Sequence, residues 1–297
     1  MNCQEIITTL RGLQLEAIND EVIIELVKIY PRTGAIITTF YPAIGQEGVP
    51  NLYVRATNYD PAQETVNSTD RLKYPPLEFN TEYQRASTPG RPMFYAVRNK
   101  SMDAGDIMSA IKTCLLETIV DYESLVKGGK RVVISLSYNL YPINLFSVFN
   151  WNEFQIRNPE MTEVNFAFEK AIQEEEPLIL ENTRIFLDYL SERFHIPVGQ
   201  KQELYKPSAV IIQHILPHLE GFGVDGVVFP STKALGKELN VAVIPNSFEN
   251  KLRMTKVMDC EYKAGGIVEM QMRGGIQPGS KTLNFTEKVN IEIDIYN

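Results

Sequence analysis

Tyr83-Gln84-Arg85-Ala86-Ser87-Thr88-Pro89-Gly90-Arg91-Pro92-Met93-Phe94-Tyr95 holds an arginine, a Pro-Gly turn and the entry to a short strand over residues 93–97. The turn is expected to bring the Arg85 side chain back near the strand start that carries Tyr95. Asp103 then stands where it can cap a helix over about residues 105–125. At a helical advance of roughly 100° per residue, Ile107, Ile111, Leu115 and Thr118 form one stripe, and Glu117 projects roughly 120° from its centre. Glu117 is therefore expected at the border of the core, where a carboxylate can reach a cleft. Further on, Asp225-Gly226-Val227-Val228-Phe229-Pro230-Ser231 ends an apolar strand in a hydroxyl, and strand tips commonly carry site residues.

Outward from these stretches the pattern predicts a helix over residues 16–30 and strands at 35–41 and 51–57. A long loop is expected over 58–82, which contains Pro61, Pro75 and Pro76. A strand follows at 131–137. Residues 138–204 read as mixed, with Trp151, an acidic run at residues 174–176 and a helix over 182–194 whose Phe186, Leu190 and Phe194 share a face. Pro207 and Ser208 open a helix that ends near Gly221. Residues 226–230 and 240–245 read as apolar strands, and 252–297 as three antiparallel strands broken at Gly265-Gly266 and at 274–280. The class expected is α+β, and the irregular alternation argues against a doubly wound sheet.

The chain has 297 residues, 44% hydrophobic and 22% charged, with a formal net charge of -8 and no Lys/Arg run, so a nucleic acid is not the expected partner. A local cationic pocket for a phosphate remains compatible with that charge. Three scattered cysteines, Cys3, Cys114 and Cys260, argue against a disulfide framework and for a reducing compartment. Residues 1–10 lack the pattern of a signal peptide, and no apolar run approaches the roughly 20 residues that span a bilayer. A cytoplasmic protein without membrane partners is expected.

Three motifs invite a stronger reading than they support. Gly221-Phe222-Gly223-Val224-Asp225-Gly226 matches G-x-G-x-x-G, but a helix precedes it and a strand follows, the reverse of a dinucleotide fingerprint. His214 and His218 are four apart on a predicted helix without a third ligand, so packed or surface histidines are expected and no metal is assigned. Lys127-Gly128-Gly129-Lys130 reads as a turn.

The Arg85, Pro89-Gly90, Tyr95, Glu117, Asp225-Gly226 and Pro230-Ser231 series resembles the RES-domain family, named for its Arg, Glu and Ser. Asn240-Val241-Ala242-Val243 is similar to the family's Asn-led strand, and Leu52-Tyr53-Val54-Arg55-Ala56 to its early arginine-bearing strand. Phe229 stands where the family often has Tyr. The resemblance covers about residues 51–255, interrupted at 138–204. It implies one RES-type domain over 1–297, with a core at about 51–137 and 205–255. Residues 1–50, 138–204 and 256–297 would be additions that shield a cleft, bind a partner or build a homo-oligomer. It also implies an ADP-ribosyltransferase-like core of mixed and antiparallel strands.

The activity implied is hydrolysis or phosphorolysis of NAD at the nicotinamide–ribose bond, with NAD as substrate, phosphate as a co-substrate and no cofactor. The family's biology implies a toxin paired with an antitoxin protein. Alternatives are transfer of ADP-ribose to a macromolecule, or a non-catalytic NAD-binding module. Within that reading Arg55 and Arg85 suit a pyrophosphate by bidentate hydrogen bonding. Tyr95 can stack on a flat ring. Glu117 can stabilise positive charge on the ribose, with Glu123 as a fallback. Ser231 can hydrogen-bond a phosphate or the carboxamide, but no activating histidine makes it a nucleophile. The plainer alternatives are a snorkelling Arg55, a solvated Arg85, a packed Tyr95, a surface Glu117 and a turn-capping Ser231. Asn240 is read as a structural turn residue.

Overall fold

The computed structural model of the protein describes residues 2–15, 18–28, 36–44, 48–99, 101–149, 158–171, 176–197 and 201–296. Along the chain lie α1 (Cys3–Arg11), α2 (Asp20–Val27), β1 (Thr38–Tyr41), β2 (Leu52–Tyr59), β3 (Phe94–Asn99) and α3 (Ala104–Thr118). There follow α4 (Tyr122–Lys127), β4 (Arg131–Asn139), β5 (Ile143–Ser147), α5 (Pro159–Ala171), α6 (Pro177–Phe194) and α7 (Lys206–Glu220). β6 (Gly226–Pro230), β7 (Leu239–Val243), α8 (Pro245–Lys251), β8 (Leu252–Lys263), β9 (Ile267–Gly275) and β10 (Asn284–Asp294) complete the order. The fold is α+β, with mixed and antiparallel strands. No helix among the described residues is long and apolar enough to cross a membrane.

The chain divides into two compact units, each assembled from three segments. The first comprises Met1–Phe40, Pro76–Met93 and Asn144–Ile244; the second comprises Tyr41–Pro75, Phe94–Ile143 and Pro245–Asn297. The expected core at 51–137 and 205–255 is thus shared between them.

In the first unit β1, β5, β6 and β7 lie side by side, with β5 parallel to β6 and β6 antiparallel to β7. α1 packs on α6, and α2 on α7. Every residue of β6 and β7 is buried, which matches sequences that are apolar except for Asn240. Gly226 opens β6 opposite Val243, and a Cβ there would lie 2.1 Å from the Ala242 carbonyl oxygen. That backbone approach, with φ at +157°, admits only glycine. The G-x-G-x-x-G run therefore serves the helix-to-strand turn: Gly221 caps α7 and Gly223 sits at φ +74°.

In the second unit the strand order is β3-β2-β4-β8-β9-β10, antiparallel throughout. Val54, Ala56, Val132, Ile134 and Leu136 form one apolar face, covered by Ala110, Ile111, Cys114 and Leu115 of α3. The three C-terminal strands break where the glycines predicted.

Several boundaries differ from expectation. The helix expected over 105–125 is two helices. Thr118 Oγ1 donates back to the Cys114 and Leu115 carbonyls, Ile119 turns extended, and Asp121 accepts from the Ser124 N–H to start α4. A Thr-Ile-Val run followed by a capping aspartate favours that break. α1 was not anticipated, although Asn2 and Glu5 form a capping box at its start. α6 begins earlier than residue 182 because Pro177 occupies its first turn. Asn240, expected in a turn, is a buried strand residue paired with Phe229. The strand and helix ends expected at 35, at 16–17 and at 29–30 lie outside the described residues, as do Trp151, Glu174 and Glu175.

Replacing Gly226 with alanine forces the β6–β7 pair apart. The variant is expected to lose more than about 2 kcal/mol of stability, as strained backbone positions do. A shift of the urea midpoint on the purified protein reads this directly; an unchanged midpoint would mean the two strands separate freely.

Candidate functional site

β2 alternates faces. Its Val54 and Ala56 pack under α3, so Tyr53, Arg55 and Thr57 stand on the opposite face. On β4, Ser135 pairs with Arg55 and Ser137 with Tyr53, so these serines share that face. β2 is paired with β4 from Leu52 to Tyr59, but with β3 only from Leu52 to Val54. Arg55 follows directly after the last β3 pair, and its Nη1 donates to the Tyr95 carbonyl at 2.9 Å. Its guanidinium carbon lies 5.7 Å from the centre of the Phe94 ring.

The Arg55 side chain is half-buried. Arg55 Nε is buried without a hydrogen-bond partner, and no carboxylate is among the described charges that act on the group. Thr57 Oγ1, Ser135 Oγ and Ser137 Oγ are buried and unpartnered as well. Burial lowers the Arg55 pKa to about 10, with the charge of Arg71 adding to the fall, so the group stays cationic at neutral pH. Buried charges are ordinarily paired, because desolvation costs more than isolated burial returns. A lone guanidinium fork on a face with three unused hydroxyls is suited to an oxyanion, and phosphate matches its planar donor geometry best.

Tyr95 and Glu117 belong to the same unit. Tyr95 is half-buried on β3, and its carbonyl is the one Arg55 engages. Glu117 is half-buried in the last turn of α3. The buried Cys114 thiol is pushed up to about 12, by burial first and also by the Glu117 charge, while Arg55 opposes the rise. α3, which carries Glu117, covers the face of β2 opposite the one on which Arg55 stands. Glu123 lies instead on α4 and is exposed.

Arg85 and Ser231 belong to the first unit. The turn before β3 is fixed by Gly90 at φ +73°, by Gly90 N–H donating to the Asn80 carbonyl, and by Asn80 Nδ2 donating to the Thr88 carbonyl at 2.6 Å. Gln213 Nε2 on α7 donates to the Ala86 carbonyl. Arg85 Nε and Nη2 donate at 2.8 Å each to the carbonyls of Phe194 and Ile196, at the end of α6. A cation there also meets the negative end of the helix dipole. Its guanidinium carbon lies 5.6 Å from the Tyr205 ring centre, and Nη2 reaches Thr232 Oγ1 at 3.5 Å. Ser231 is buried, and its Oγ accepts from the Ala234 N–H at 3.1 Å, closing the turn between β6 and β7. The sequence did not single out Thr57, Ser135 or Ser137. Their signal was present: polar residues at alternate positions of otherwise apolar strands.

Among the described residues no group of three or more His, Cys, Asp or Glu side chains converges as a metal site would. Comparison with family models and with curated proteins gives no match.

Arg55→Met keeps the stem and removes the uncompensated charge. It is expected to melt at the wild-type temperature or above it, since apolar replacement of buried charge is neutral or stabilising. Excess pyrophosphate should raise the wild-type melt, a ligand at a hundred times its Kd adding about 2.7 kcal/mol, and leave the variant unmoved. A variant that melts lower, beside a wild type indifferent to pyrophosphate, would assign Arg55 to packing alone.

Proposed function

We propose that this protein binds NAD, with a phosphate seated against Arg55, and cleaves the nicotinamide–ribose bond. The observation that carries this reading is Arg55 itself, a half-buried cation whose Nε is buried and unused and which has no carboxylate partner among the described residues. A pyrophosphate supplies the anion that the protein does not. Tyr95, on the strand Arg55 touches, offers a ring on which nicotinamide or adenine can stack. Glu117 supplies negative charge on the same unit. In the reaction the electron pair of the N-glycosidic bond leaves with nicotinamide, and positive charge builds on the ribose. A carboxylate stabilises that charge, and water or phosphate then adds at the ribose carbon with loss of a proton.

The resemblance to the RES-domain family supports the same substrate, an ADP-ribosyltransferase-like core, and a toxin restrained by an antitoxin as the biological setting. Transfer of ADP-ribose to a macromolecule would differ only in the acceptor. A second reading is a binding module without the reaction. It is favoured by Arg85 and Ser231, whose Nε, Nη2 and Oγ are engaged by the protein's own backbone.

The test is NAD turnover by purified protein with water, phosphate or protein as sole acceptor. Free nicotinamide is expected, and Glu117→Gln should lower kcat about 100-fold or more, the scale for loss of a preorganised electrostatic group. NAD affinity should change far less, because the carboxylate acts in the transition state. Bound but intact NAD would establish the module reading, labelled protein would establish transfer, and absence of NAD binding would overturn the proposal.

A further inference from the structure

Away from these residues, α7 carries His214 and His218, two of the chain's three histidines. Their spacing of four stacks them on one helix face. The ring centroids are 5.2 Å apart, with the planes at 76°. That separation has a chemical meaning. A zinc–imidazole bond is about 2.1 Å and the ring centre lies about 1.1 Å beyond the nitrogen, so two imidazoles at a tetrahedral angle on one zinc have centres about 5.2 Å apart. The ring centres already lie at chelating separation, and side-chain rotation would aim one nitrogen of each at a shared point.

The surroundings favour a cation there. His218 is exposed and His214 half-buried, so one side of the pair is open to water. Burial, together with the neighbouring His218, lowers the His214 pKa, and the Glu25 charge on the packed helix α2 opposes that fall. Glu25 adds negative potential beside His214, although its carboxylate is shared with Lys28. The third histidine, His195, is placed differently, with Nδ1 at 2.6 Å from the Ser191 carbonyl at the end of α6.

We infer that His214 and His218 form a two-imidazole site for a borderline divalent transition-metal cation, Zn2+ above all, with the remaining coordination positions open to water. The inference is independent of the NAD reading. Imidazole pairs select zinc, copper and nickel over the hard cation magnesium.

The experiment is calorimetric titration of Zn2+ into untagged full-length protein carrying Cys3→Ser, which removes the one thiol that is not buried. One equivalent of Zn2+ is expected to bind and Mg2+ to give no heat. His218→Ala, at an exposed position, should weaken Zn2+ binding about 10-fold or more, given that loss of even an outer-shell partner costs 10–100-fold. His214→Ala should do the same, with an unchanged circular-dichroism spectrum establishing that it is folded. Absence of Zn2+ binding, or binding undiminished in His218→Ala, would overturn the site.

Discussion

Strand β2 hydrogen-bonds along its whole length to β4 and along only three residues to β3. That inequality organises the second unit. Fixed by β4, β2 presents one apolar face to α3 and holds Arg55 on the other, next to the place where the β3 ladder stops. There a side chain supplies a donor: Arg55 Nη1 reaches the Tyr95 carbonyl just past the last β2–β3 pair. A continuous ladder would have no place for a guanidinium at Tyr95. The chemistry proposed for Arg55 therefore depends on a pairing that ends early.

The elements were legible where pattern and local chemistry agree. β6 is an uninterrupted apolar run and β7 is apolar but for Asn240, while β8, β9 and β10 are set apart by glycine-bearing turns, so apolar runs, alternation and turn residues located them. The break between α3 and α4 was not read, because the 105–125 stripe of apolar residues continues through it. What stops the helix is a side-chain hydroxyl returned to the backbone at Thr118, a competition that a periodicity count does not register. α1 shows the converse: its capping box is written in Asn2 and Glu5, although the helix it starts is only nine residues long.

The candidate site was legible in residue type and less so in circumstance. The arginine at position 55 is visible in the sequence; its lack of a counter-ion is a property of everything that folds around it. Arg85 illustrates the same limit. Its motif stands out, but the carbonyls it engages are 109 and 111 residues away, at a helix end whose position no local pattern connects to the turn. Ser135 and Ser137 were within reach of sequence reasoning, since a hydroxyl at alternate positions of a buried strand asks what it bonds to.

Segments of the two units alternate along the chain, which passes from one to the other five times. Pairings such as Arg131 with Glu261 join residues far apart in sequence, and contacts of that range form slowly. During synthesis, β4 must wait for β8 to emerge from the ribosome before its second edge is covered. A premature stop anywhere before residue 252 would leave the second unit's sheet without half its strands. Truncation mapping and two-fragment expression would therefore report on misfolded remnants, and for this chain only point substitutions can assign activity to a segment.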